Sequence, residues 1–189
     1  MTVLPQLDLQ KELDRKARKF MPEAAVFGAF AAKRAMASAR LPAEEVARDD
    51  VGIIVGNDSS SDPLPELMAT LDQYKESRFL GSNMVIKVMN STASMNLGPF
   101  LRCRGINLTI SAACASGAHA IGVAFNLIRS GAQRAIFAGG VQETNWLSMV
   151  SFDALAAFSI REGSPAEASR PFDRERDGLV PGGGGAMLV

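Results

Sequence analysis

One stretch constrains this chain more than any other. Ile106, Leu108 and Ile110 alternate with polar residues as a strand does, and the chain then runs through Ser111 to Gly117, all small residues but Cys114, into a helical pattern. Ala118, Ile121, Phe125 and Ile128 recur at helical spacing, with Gly131 placed to cap the helix just past Ser130. Ala135 to Ala138 reads as a second buried strand ending in Gly139 and Gly140. Strand, helix and strand with short links predict a parallel, right-handed crossover. Ligands collect at the C-terminal ends of the strands in such sheets, which is where Cys114 falls.

The remaining elements agree with an α/β protein. Pro22 and Glu23 open a helix to about Ala39, apolar nearly all round at its start and therefore buried on more than one side. Val51–Val55 reads as a buried parallel strand stopped by Gly56, Asn57 and Asp58. A short helix follows from Pro65, and another from Met84 to Leu97 is closed by Gly98 and Pro99. Leu7–Phe20 is charged and loosely helical, with Lys11, Arg15, Lys16, Arg18 and Lys19 crowded together. Such a run is ordinarily a solvated face. The chain ends on an apolar, strand-like run, Ala186–Val189, as though cut within a domain.

Cys114 has a physical reason to be reactive. Unpaired N–H groups and the positive dipole end of a helix start favour thiolate, while Ala112, Ala113, Ala115, Ser116 and Gly117 leave room for a substrate. The competing reading is a buried cysteine acting as a small hydrophobe. His119, the one histidine, lies about 140° around the helix from Cys114 and is read as structural. Any base or acid that Cys114 uses then comes mostly from elsewhere.

Composition closes several other routes. Twenty basic and twenty acidic residues leave no net charge, so nothing marks a nucleic-acid binder. Two cysteines read as reduced thiols of a cytoplasmic protein, and one histidine with two separated cysteines makes no zinc site. Ala24–Ala32 is too short to span a bilayer. Gly182–Gly185 lacks the Lys and Ser/Thr of a phosphate loop, and close backbone packing explains it better. Asp173, Glu175 and Asp177 alternate with Arg174 and Arg176, which favours an internally compensated loop over a metal cluster.

Gly105 to His119, with Phe137-Ala-Gly-Gly, Phe152-Asp-Ala-Leu, Ser169-Arg-Pro-Phe-Asp and Arg176-Asp-Gly, resembles the β-ketoacyl-acyl-carrier-protein synthases of the I/II type. The likeness runs nearly without gaps from about Leu7 to Val189. It implies a thiolase-like α/β fold in which residues 1–189 form one βαβαβαββ half, without its opening strand. That strand is expected at the centre of the half-sheet. The second half, with two catalytic histidines, a lysine and a phenylalanine gate, is also expected to be missing, so the chain alone is incomplete for catalysis.

The resemblance further implies that Cys114 is acylated from a carrier protein bearing phosphopantetheine-linked acyl and malonyl groups. It assigns the decarboxylative condensation of fatty acid or polyketide synthesis, with no cofactor or metal. Met89 and Phe152 match residues of the acyl pocket, Met89 across a dimer interface; plain core is the alternative for both. Arg15, Lys16, Lys19, Lys75 and Arg78 match basic positions that meet the acidic carrier protein. Leu179 stands where the family commonly has Phe, close to the reactive centre, and Gly183 replaces a Glu of type II members. A homodimer or heterodimer with another ketosynthase-like chain is implied. Two alternatives stay open: a non-catalytic subunit or fragment packed against a complementary chain, and a thiolase-like acyltransferase that does not decarboxylate. The cysteine argues against a non-catalytic family partner.

Overall fold

A computed structural model describes residues 12–189. Of the charged Leu7–Phe20 segment, residues 7–11, including Lys11, lie outside the described residues, and the rest contains one helical turn, α1 (Arg15–Arg18). Asp14 caps it, its carboxylate accepting from the Ala17 N–H at 2.7 Å.

Helix α2 (Glu23–Ser38) begins one residue after Pro22, with Glu23 in the first turn where its charge suits the dipole. Its alanines are small enough to bring it against several partners. Ala24, Ala25, Ala29 and Ala32 are fully buried, as the apolar start predicts. A short α3 (Ala43–Val46) leads to β1 (Val51–Gly56), buried along its whole length. Then come α4 (Leu64–Tyr74), α5 (Met84–Lys87), α6 (Thr92–Leu101), β2 (Asn107–Ile110), α7 (Ser116–Arg129), β3 (Ala135–Gln142), α8 (Trp146–Ala154) and β4 (Gly184–Leu188).

Among the described residues the strands form one sheet in the order β2-β1-β3-β4. β1 is parallel to both neighbours, pairing Gly56 with Ile110 on one side and with Gly140 on the other, while β4 runs antiparallel to β3. The pleat sends Val51, Ile53 and Val55 into a core with α2, α6 and Phe137. Ile54 faces the other way, into a second core with Ala120 and Ala124 of α7 and with Ile136 and Ala138. Helices therefore cover both faces, as buried parallel strands require.

Three expectations are corrected. The opening strand was expected at the centre of the half-sheet, yet β1 and β3 pair directly from Val51–Ala135 to Gly56–Gly140. The sheet has no internal vacancy, so a further strand could join only at an outer edge. The crossover β2-α7-β3 accordingly steps over β1 rather than linking neighbours. The helix expected from Met84 to Leu97 is broken after Lys87 and resumes at Thr92. Gly98 and Pro99 lie inside α6, where a Cβ on Gly98 would come within 2.3 Å of the Asn107 side chain; that glycine serves packing, and Arg102 in the left-handed region makes the cap.

β3 also continues through Gly139 and Gly140 instead of stopping there, because β4 passes so close that a Cβ on Gly139 would meet Ala186 O at 2.0 Å. The helix expected after Cys114 is present as α7. Ala118, Ile121, Phe125 and Ile128 share one face, but that face is exposed, Phe125 by 62%; the sheet side is Ser116, Ala120 and Ala124. At its first turn α7 lies against the glycine backbone of β1 and β3, where Gly117 meets Gly56 and Gly140, and Val123 and Leu127 pack partly buried further along.

Candidate active site

Cys114 lies in the turn between β2 and α7, and the local chain fixes that turn tightly. The buried Ser116 hydroxyl accepts from the Ala112 N–H at 2.8 Å and donates to Ala113 O at 2.6 Å. Ala113 is left-handed at φ +48, a conformation costing an L-residue about 1–3 kcal/mol and found where the surroundings enforce it. Gly56 is one enforcer, for an added Cβ there would stand 2.3 Å from Gly117 N. The helix start sits on the ends of β1 and β3, and Cys114 remains exposed.

An open cleft of about 460 Å³ contains the thiol. Gly56, Asn57 and Asp58 enter it from β1, Ala113 and Cys114 from the turn, and Gly140 from β3, so the C-terminal ends of three parallel strands converge as the crossover predicts. A larger cavity of about 710 Å³ runs between α2 and β4, lined by Phe27, Phe30, Arg34 and Met187 among others, and it contains no cysteine. The exposed thiol therefore belongs to the smaller cleft.

The two cysteines are unlike. Burial pushes the Cys103 thiol up to about 11, so it stays protonated and inert, whereas Cys114 is open to solvent. His119 is exposed on α7 and is absent from the cleft lining, so it is neither a core histidine nor a neighbour of Cys114 there.

The other residues singled out are scattered relative to this cleft, and none of Met89, Phe152 and Leu179 lines it. Met89 is exposed in the break between α5 and α6, and Phe152 is exposed on α8. Leu179 borders a separate cavity of about 480 Å³ with Arg170 and Arg176, its backbone paired with Ala157 and Ser159. Arg15, Lys16 and Lys19 cluster around a shallow cavity with Arg18. Lys75 pairs with Asp72 at 2.5 Å and Arg78 with Glu76 at 2.7 Å, exposed pairs that exchange partners at little cost.

In the Asp173–Asp177 loop, most of the compensating cations come from outside the interleaved run. Arg170 faces Asp173, while Arg161 reaches both Asp177 and the Glu175 carbonyl. The glycine run does pack closely, a Cβ on Gly185 falling 2.8 Å from Phe27 O. Among the described residues no set of three or more His, Cys, Asp or Glu is placed to hold a metal, and no helix is long and apolar enough to cross a membrane.

Two features escaped the sequence. Glu143, fully buried, accepts from the Ser61 and Asp62 N–H groups and the Ser61 hydroxyl, tying the loop after β1 to the end of β3. Burial and the neighbouring Glu143 and Glu23 carboxylates raise the Asp62 carboxyl to about 6, against a donor from Glu23 N. Glu143 feels the same burial, but donors from Ser61 and Asp62 outweigh it and hold Glu143 below its ordinary value. The second feature is Asn57, 1% exposed, whose Nδ2 donates to Asn90 O at 2.8 Å. The only local signals were an amide directly after Gly56 and an acid shortly after Gly139 and Gly140.

A family model described as "Beta-ketoacyl synthase, N-terminal domain" matches residues 6–189. The 3-oxoacyl-[acyl-carrier-protein] synthase 1 of Haemophilus influenzae is 35% identical over 188 residues, 97% of this chain and 46% of its own length. A solved β-ketoacyl synthase from Burkholderia phymatum STM815 superposes with a TM-score of 0.88 at 32% identity, covering 98% of this chain and 46% of that one. A type II polyketide acyl-carrier protein in complex with its ketosynthase bound to the hexaketide gives 0.72 at 28% identity, covering 89% and 44%. The chain spans about half the length of the curated relatives it matches.

Proposed function

The chain belongs to the β-ketoacyl synthase family, and from that membership we propose that it is the nucleophile-bearing, thiolase-like half of a β-ketoacyl-acyl-carrier-protein synthase, with residues 1–189 as one unit. The observation that carries the reading is Cys114, exposed in a strained, hydrogen-bonded turn over the ends of three parallel strands.

In the reaction, the Cys114 thiolate attacks the carbonyl of an acyl thioester on the carrier protein. The new C–S bond forms, the pantetheine thiolate leaves and takes up a proton, and an acyl-Cys114 remains. A malonyl thioester then loses carbon dioxide, its C–C bonding pair stays as an enolate, and that carbon attacks the acyl-Cys114 carbonyl. Cys114 leaves as thiolate and the product is a β-ketoacyl thioester. Two easier steps replace one hard step. The N–H of Cys114 serves the oxyanion that develops at the acyl carbonyl. Protonation and decarboxylation draw on the two histidines and lysine that the family resemblance places in a second half.

Met89, Phe152 and Leu179 line the path of the acyl chain. Arg15, Lys16, Lys19, Lys75 and Arg78 receive the acidic carrier protein, a contact that should weaken with salt. The partner is a ketosynthase-like chain, identical or not, and two free thiols suit a cytoplasmic setting.

The decisive experiment offers the complete protein a carrier protein bearing a labelled acyl group. Label should appear on Cys114, and labelling that survives Cys114→Ala would refute the assignment. One observation favours a second reading. The apolar face of α7 with Ile121, Phe125 and Ile128 lies open along the helix that follows Cys114, as expected of a surface that another part or chain covers. A polypeptide of residues 1–189 that is well folded, monomeric and active by itself would rule that reading out. Release of carbon dioxide from malonyl carrier protein separates condensation from simple acyl transfer.

A further inference from the structure

The break between α5 and α6 is held by the wall of the cysteine cleft. A helix end frees carbonyls that need donors. Here the Ser60 hydroxyl donates to Lys87 O at 2.6 Å and Asn57 Nδ2 donates to Asn90 O at 2.8 Å, while Asn90 Nδ2 returns a bond to Asp58 O at 3.2 Å. Asn57 and Asp58 line the cleft with Cys114, and Asn90 directly follows Met89. The Asn57 N–H is also bound, to Ile110 O at 3.0 Å, so the same residue joins β1, the last residue of β2 and the segment carrying Met89.

Stability alone does not account for this asparagine. Its Oδ1 is buried without a partner, a cost of about 1–3 kcal/mol that an apolar side chain would avoid. We propose that Asn57 is a positioning residue for acyl-chain selection: its bond to Asn90 sets the place of Met89 at the dimer interface, and so the acyl lengths accepted by the site that Met89 faces across it. This rests on the assignment of Cys114 as the acylated nucleophile and of Met89 to the acyl path. Met89 then acts from a clamped segment, and loosening the clamp changes selection without touching the thiol.

The test uses the full-length protein and acyl carrier thioesters with one short and one long straight chain. Cys114 acylation gives kcat/KM for each, and their ratio is the readout. Asn57→Ala should change the ratio by about threefold to tenfold, the range of one hydrogen bond. In a Met89→Ala background the same substitution should change it less than twofold, as a coupled pair requires. A ratio unchanged in Asn57→Ala while the melting temperature falls would overturn the proposal, as would an equal effect without Met89. Should Asn57→Ala fail to fold, Asn57→Ser, whose shorter side chain cannot reach the Asn90 carbonyl, must move the ratio in the same direction, and an unmoved ratio overturns the proposal there too. Absence of acylation in the unaltered protein would instead refute the underlying function.

Discussion

Gly56→Ala is the sharpest probe of how the fold places the thiol. An added Cβ would stand 2.3 Å from Gly117 N and from Ser116 C and 2.5 Å from Ser116 O, all backbone atoms at the first turn of α7. Ordinary contact begins at 3.4 Å, so the helix start must retreat by about 1 Å, carrying the Cys114 turn with it. Overpacking of this kind costs about 1–3 kcal/mol, partly offset by the smaller entropy of the unfolded chain. For a domain of this size that is a fall in melting temperature of roughly 2–10 °C. Misplacing a reacting atom by about 1 Å can lower its rate up to about 100-fold, so alkylation of Cys114 by iodoacetamide and its acylation should slow together. Gly163→Ala, whose Cβ meets nothing within 4 Å, is the control and should change neither quantity. A Gly56→Ala protein that melts and reacts like that control would refute the close docking of α7 on β1.

The thiols should separate cleanly: at pH 8 one equivalent of alkylating agent should enter Cys114, leave the half-buried Cys103 unmodified and find no target in Cys114→Ala, as peptide mass mapping would show. Ser116→Ala should lower stability by about 1–3 kcal/mol in denaturant titrations, because the Ala112 N–H loses its partner, and should slow Cys114 modification as the turn relaxes. Asp62 gives a pH signature. Its folded carboxyl is raised from 3.8 to about 6, so the stability it contributes is complete below pH 4 and is lost as the pH climbs through 6. Asp62→Asn should remove that decline, and the difference between the two stability curves isolates it from Glu23, raised by burial, and Glu143, which acts in the opposite sense.

What the sequence by itself determined is local. The alternation in Ile106, Leu108 and Ile110, the small residues around Cys114, the apolar run of β1, the alanine-rich α2 and the Gly131 turn all follow from periods and from residues a few positions apart. Cys114 and its strand-turn-helix setting were legible for that reason. Periodicity says which residues share a face, however, and not which face meets the sheet. The spacing of Ala118, Ile121, Phe125 and Ile128 marks a helix, and the tertiary structure turns Ala120, Val123, Ala124 and Leu127 toward the sheet instead. Strand order, with β1 paired directly to β3, is likewise set by packing across the sheet. The Asn57–Asn90 bond spans 33 residues and the Ser61–Glu143 contact 82, so neither leaves a pattern within a window of sequence. Those long-range bonds shape the walls of the cleft, and only the folded chain brings their partners together.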